Sequence, residues 1–252
     1  MDCNAAIKDS FVPFFKDKIE GKENLALFYS DNPPPTHQYK WKVTPEKLVT
    51  IHISKSDPIS NAKDTIWLKQ ELERKWKNGT AEERMKLTEW IVRDWGGVKR
   101  NSTKRFEEYF KKGENNNPDL PLKGVASYSK VLSISNITDY AIYDARVAAS
   151  LAAIQIIYPS CKPVFFPFIR GRNKTVSDQD NPNSFVSRFY AKELDKQWIN
   201  PEDRNDTYSL YLALLRSILK HFPEYKIYHL EMMLFAMAET LCENAIKKWC
   251  NK

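Results

Sequence analysis

The stretch YAIYDARVAASL, residues 140–151, sets an acidic side chain where an apolar helix is about to begin. Asp144 follows Tyr140, Ile142 and Tyr143, and precedes Arg146 and the run Val147-Ala148-Ala149. A carboxylate in that place has two uses. It can cap the helix by accepting hydrogen bonds from the first free backbone N–H groups. It can also be a catalytic acid at the helix mouth, kept ionised among apolar neighbours by the positive end of the helix.

Other reactive side chains are scattered. Cys3, Cys161, Cys242 and Cys250 fit neither a zinc ribbon nor an iron–sulfur spacing, and read as buried or idle thiols of a reducing compartment. His37, His52, His221 and His229 form no HExxH or comparable pair, so we expect no metal and no cofactor. The chain has 7 glycines, and neither IRGRNK nor DWGGVKR makes a phosphate loop or a dinucleotide fingerprint, which argues against a nucleotide-hydrolysing motor. Lys and Arg number 39 against 32 Asp and Glu, a net charge of +7 that suits a polyanionic partner. The opening MDCNAAIKDSFVPFF lacks the form of a signal peptide, and no window of about 18 apolar residues occurs. A cytoplasmic monomer without membrane contact is expected.

The elements that must position Asp144 are mostly helical. DTIWLKQELERKWK (64–77) places Ile66, Leu68, Leu72 and Trp76 near one face. NGT then breaks the chain, with Thr80 and Glu83 spaced as a capping box for a helix over 80–95 that stops at Gly96-Gly97. A short helix crosses STKRFEEYFKK, and residues 122–134 and 140–157 form a helix pair joined by SNITD. Residues 158–205 contain Pro159, Pro163, Pro167, Pro182 and Pro201 and read as a long irregular excursion before two strong closing helices. LVTIHISK (48–55) alternates like a β-strand. The expected fold is mainly α, with an N-terminal appendage over 1–60 that includes this strand and a helical domain over 61–252.

LPLKGVASYSKVLSISNITD, just ahead of the opening stretch, reads as a glycine turn followed by a helix. With YDARVAASL it makes residues 122–152 resemble the helix-hairpin-helix DNA glycosylase superfamily. The nearest pattern is that of bacterial proteins with an 8-oxoguanine DNA glycosylase fold, whose sequences carry a similar S-K-x-L … I-Y-D-[SA]-R-V string. The resemblance implies a glycosylase-like helical bundle that removes a base from DNA. It implies Asp144 as the catalytic aspartate and Lys130 as the lysine that attacks the sugar. The chain departs from the family in carrying Ala126 where a second hairpin glycine is usual, and in the intervals around Lys130. A shifted register would put Tyr128 in the lysine's place and leave water as the nucleophile.

The chemistry of these residue types supports such roles. Breaking an N-glycosidic bond leaves positive charge on the sugar, which an ionised Asp144 stabilises. A lysine amine that is partly desolvated loses its proton more readily and can form a Schiff base. A solvated helix lysine at position 130 is the plain alternative.

Such an enzyme must flip its target base out of double-stranded DNA and hold it. For the base pocket we expect Tyr143 with Phe165, Phe166 and Phe168 of CKPVFFPFIRGRNKTV. For the DNA backbone we expect Lys123 and Gly124 of the hairpin, Lys99, Arg100 and Asn101 after the glycine pair, and Arg170, Arg172 and Lys174. The excised base is an oxidised purine, in repair, or a hypermodified cytosine of phage DNA, in antiviral defence. Two rival classes stand beside this: a helix-hairpin-helix protein that binds DNA without chemistry, and a helical interaction module of a defence system.

Overall fold

In the computed structural model, which describes residues 4–20, 28–29, 39, 41–115, 121–190 and 194–250, the chain is mainly helical. Among the described residues β pairing is limited to isolated bridges, Val43 with Ile59, Val164 with Ile199 and Gly171 with Asp178. Asn4–Ala6, a π-helical Ile7–Phe11 and Val12–Glu20 follow one another without a break and are called α1. Phe11, Phe14 and Phe15 of α1 are fully buried in the same core as the later helices. These residues of the N-terminal third share one core with the later helices.

The strand expected over 48–55 is not formed. Thr44 is extended, Pro45 presets the first turn, and Pro45–Val49 becomes a short helix, α2. The chain then doubles back through His52, whose φ is +54°, and the Ile53 N–H donates to Leu48 O at 3.1 Å. Leu48 and Ile53 are both buried because of this turn, so an apolar alternation that looks like a strand is produced by a helix end.

Local capping governs the next helices. Asn61 accepts from Asp64 N at 2.7 Å to start α3, Ala62–Asn78. Thr80 and Glu83 exchange the two bonds of a capping box at the start of α4, Ala81–Trp90. That helix runs on through a π turn, Ile91–Trp95, and halts at Gly96 and at Gly97, whose φ of +69° suits glycine.

The remaining helices are α5 (Thr103–Asn115), α6 (Val125–Ser135), α7 (Ala145–Ile157), α8 (Phe185–Tyr190), α9 (Leu194–Gln197), α10 (Thr207–Leu219) and α11 (Ile227–Cys250). The small, buried Ala148, Ala149, Ala152 and Ala153 let α7 lie close along α11, and the Ser150 hydroxyl donates to Leu234 O at 2.7 Å between them. On the other side α6 packs against α3, α5 and the π turn. Lys130 is carried by α6, and Asp144 caps the start of α7. No helix among the described residues is long and apolar enough to cross a membrane. Cys161 and Cys250 are exposed free thiols and Cys242 is a buried one, while Cys3 and His37 lie outside the described residues.

Candidate active site

The hairpin before α6 depends on Gly124, which has a φ of +86°. An added Cβ there would stand 3.2 Å from the Tyr109 hydroxyl of α5, a tight approach, and the positive φ by itself favours glycine. The turn closes with the Val125 N–H donating to Leu122 O at 3.1 Å. Lys123 at its tip is exposed.

Lys130 lies less than two turns further on and is only 8% exposed. Its Nζ donates to the Ala126 carbonyl, and its Cδ lies against Gly96 at the end of the π turn. Burial lowers its proton affinity below that of an ordinary lysine. Asp144 and Glu231 oppose that shift through their negative charge, and the positive charge of Lys69 adds to it.

Asp144 is half-buried at the mouth of α7. One of its oxygens, Oδ1, accepts from Arg146 N at 3.0 Å and from Val147 N at 3.1 Å. The extended segment leading to it is pinned by tyrosine hydroxyls. Tyr208 donates to Ala141 O at 2.9 Å, Tyr211 to Ile142 O at 3.1 Å, and Tyr143 itself to Pro167 O at 2.8 Å. Ser129 Oγ accepts from Tyr143 N at 3.1 Å and so fastens α6 to this segment. Arg146 then reaches α11, pairing with Glu239 at 2.6 Å and lying over the Phe235 ring at 5.0 Å.

Two further charges sit in the interior. Lys69 of α3 and Glu231 of α11 form an ion pair whose side chains are 1% and 0% exposed. Only one carboxylate oxygen of Glu231 is used, and Oε1 is buried without a hydrogen-bond partner. Burial raises the proton affinity of Glu231, and Asp144 adds to this, while Lys69 and Lys130 oppose it. One step beyond the pair, Phe235 is flanked by Tyr39 at 5.4 Å and by Trp41 at 6.0 Å between ring centres. The indole N–H of Trp41 donates to Trp95 O at 2.7 Å. Lys69, Lys130, Asp144 and Glu231 come from four elements, with Lys69 paired to Glu231 and the aromatic cluster reached from Arg146 through Phe235.

The residues picked from sequence fall into three groups. Lys130 is buried and Asp144 is half-buried at the mouth of α7, whereas Tyr128 has its hydroxyl donating to Pro121 O at 2.9 Å and its ring edge-on to Tyr208. The basic residues Lys99, Arg100, Arg170, Arg172 and Lys174 are all exposed, and Asn101 is half-buried with its amide donating to Val98 O. Arg172 joins two of these loops by donating to Gly97 O at 3.3 Å, and Gly171 lies against Ala145 directly after Asp144. Arg170 instead faces Asp180. The expected base pocket is corrected: Phe165, Phe166, Phe168 and Tyr143 are all core residues, with Phe165 edge-on to Phe168 and Phe168 edge-on to Phe185. They are buried because the excursion over 158–205 needs apolar anchors of its own.

Sequence reading missed Lys69, Glu231 and the Tyr39–Trp41–Phe235 cluster. The signal for the pair was present: Lys69 shares the apolar face of α3 with Leu68, Leu72 and Trp76, and Glu231 stands between Leu230 and Met232. A charge on a buried face needs a partner. The aromatic cluster had no such signal, because its members are far apart in sequence.

Two surface clefts lie away from this centre. One of about 660 Å³ is lined by Asp180, Arg188, Phe189 and Trp249, and one of about 420 Å³ by His52, Arg74, Lys75 and Lys86. Among the described residues no group of three or more His, Cys, Asp or Glu side chains is placed to hold a metal ion. No family model, curated protein or solved structure matches this chain.

Proposed function

We propose that the chain is a DNA N-glycosylase of the helix-hairpin-helix type, excising a damaged or modified base from double-stranded DNA to leave an abasic site. The observation that carries this reading is the Lys130 amine, buried on α6 with a lowered proton affinity, together with the Asp144 carboxylate at the mouth of α7. A buried amine that sheds its proton easily is a nucleophile, and a carboxylate at a helix mouth stabilises positive charge on a sugar. In the reaction the N-glycosidic bond breaks and the base leaves with its electron pair, the neutral Lys130 nitrogen bonds to the sugar carbon, and the proton this nitrogen then sheds goes to the departing base. Asp144 holds the cationic sugar through this exchange.

The other parts agree with that chemistry. The Gly124 turn holds Lys123 exposed at its tip, suited to a DNA phosphate. Arg172 and the loop of Lys99 and Arg100 rim the side of the site nearest Gly97. The substrate is an oxidised purine or a hypermodified cytosine, in base repair or in antiviral defence.

The test is to incubate the protein with oxidised, alkylated, uracil-bearing and phage-derived modified DNAs, to count abasic sites and to trap adducts with borohydride. Abasic sites on one of these DNAs support the reading. None on any, together with salt-sensitive binding, would instead favour a DNA-binding protein without chemistry. One observation speaks for that second reading, since Asp144 is a working helix cap with both expected N–H donors.

A further inference from the structure

Trp41 takes no part in the steps above, yet contacts run from it toward both Lys130 and Asp144. Its indole N–H donates to Trp95 O at 2.7 Å, so what the half-buried ring still offers is an apolar π surface. On one side lies the turn Gly96-Gly97. A Cβ added at Gly97 would stand 3.5 Å from the outer edge of the Trp41 ring and 3.6 Å from Arg172 Nη2, and one added at Gly96 would stand 2.9 Å from Lys130 Cδ. The stem of the amine, the indole and an exposed arginine therefore meet at two successive glycines. On the other side the indole is edge-on to Phe235, with ring centres 6.0 Å apart. Arg146 lies over that phenyl ring at 5.0 Å, and its backbone N–H donates to Asp144 Oδ1 at 3.0 Å. Core packing accounts for the buried part of Trp41, which joins Tyr39 and Met232 to the main core. It leaves unexplained why the rest of the ring stands beside an arginine at the turn that touches Lys130.

We infer that Trp41 is the stacking platform for a nucleobase drawn out of DNA at this site. An extruded base needs a flat apolar partner in place of the neighbours it leaves, and an indole already held in position supplies one without further ordering. Phe235 braces the ring from within, and Arg172 stands at its outer edge, where the phosphates flanking the base need a cation. Gly96 and Gly97 carry no side chain that could come between the indole and the stem of Lys130. Stacking tolerates any base, because every base has a π face. The platform therefore serves an oxidised purine or a modified cytosine alike, and the choice between them falls to other groups. The inference rests on the proposed function for the extrusion of a base, but not for the chemistry of Lys130 and Asp144.

The test uses a DNA duplex with one unpaired 2-aminopurine and the same duplex with a tetrahydrofuran abasic analogue at that position. Binding of each to the full chain is measured at one salt concentration. Trp41→Phe and Trp41→Leu both lose the bond to Trp95 O, but only phenylalanine can stack. Trp41→Leu should weaken binding of the 2-aminopurine duplex by about 5- to 150-fold, and Trp41→Phe by much less. Both should bind the abasic duplex as the wild type does. Equal losses in the two variants, or equal losses on the two duplexes, overturn the inference. If neither variant folds, the wild type decides: 5-iodouracil replaces the 2-aminopurine, the complex is irradiated, and the crosslinked peptide is identified by mass spectrometry. Attachment at Trp41 supports the platform, and attachment only elsewhere, or none, overturns it. Excision assays keep the two ideas apart. A base-dependent loss in Trp41→Leu without excision by the wild type upholds the platform and removes the glycosylase reading. Excision by the wild type without a base-dependent loss does the reverse. A wild type that binds neither duplex overturns both.

Discussion

Ser129 and Tyr143, the residues immediately before Lys130 and Asp144, are hydrogen-bonded to each other, the Tyr143 N–H donating to Ser129 Oγ at 3.1 Å. This bond fixes the register between the helix that carries the amine and the segment that carries the carboxylate. Both partners are fully buried.

Ser129→Ala leaves the Tyr143 N–H buried without an acceptor, which costs about 1–3 kcal/mol. Denaturant unfolding should show that loss. On the glycosylase reading, excision should fall by more than the lost stability explains, measured well below the unfolding temperature, because the helix of Lys130 and the segment of Asp144 are then free to shift. An activity drop that disappears once the folded fraction is allowed for would make the bond purely structural.

Asp144→Asn separates the cap from the catalyst. Asparagine caps a helix as well as aspartate does, so stability should stay within about 0.5 kcal/mol of the wild type, whereas Asp144→Ala loses about 1 kcal/mol. On the glycosylase reading both variants lose excision, by roughly 100-fold or more. Full activity in Asp144→Asn would reduce Asp144 to a cap.

Lys130→Met replaces a buried amine by an apolar chain of similar length. On the glycosylase reading the trappable adduct should vanish while the fold is retained. The pH dependence has a definite sign. Burial lowers the folded amine below its ordinary value of 10.5, so between the two values the unfolded chain holds the proton more often. Wild-type stability therefore rises with pH across that window, and Lys130→Met flattens the rise. Equal slopes in the two proteins, from denaturant midpoints across alkaline pH, would contradict the burial of a titrating amine.

What the sequence made legible follows from how local each signal is. The Thr80–Glu83 box, the Gly96-Gly97 stop and the cap at Asp144 involve residues a few positions apart, and each forms as the spacing implies. The alternation in LVTIHISK misled because a helix end followed by a tight turn buries Leu48 and Ile53 with the same apparent period. Phe165, Phe166 and Phe168 misled for a different reason: aromatic rings beside arginines suit a base pocket and a loop anchor equally, and only tertiary packing decides. The distant pairing of Lys69 with Glu231 could be suspected from charges on apolar faces but not assigned.

Lys123 and Arg172 should reveal themselves through salt. Each phosphate neutralised lowers the slope of log binding constant against log salt by about 0.9. Lys123→Ala and Arg172→Ala should each weaken binding to double-stranded DNA and reduce the slope by about one contact, with little change in stability since both are exposed. Slopes identical to the wild type would remove these residues from the DNA interface.

His229 gives the chain an acid sensitivity that must be separated from the chemistry proposed for Lys130. It is the third residue of α11, and its Nδ1 accepts from the N–H of Lys226, the residue before the helix, at 2.9 Å. That is the part a glutamine or glutamate plays in a capping box. Burial first, then the charges of Lys69 and Lys226, depress its pKa from 6.5 to about 4. Between those values the unfolded chain binds a proton that the folded chain refuses, so stability is lost as pH falls from 6.5 toward 4. His229→Gln keeps an acceptor and removes the titration, so it should match the wild type at neutral pH and outlast it in acid. Equal acid slopes in denaturant midpoints would show that another group controls the loss. The variant also clarifies the excision assay. An acid limb caused by unfolding moves with His229→Gln, whereas one caused by protonation of Lys130 stays where it was.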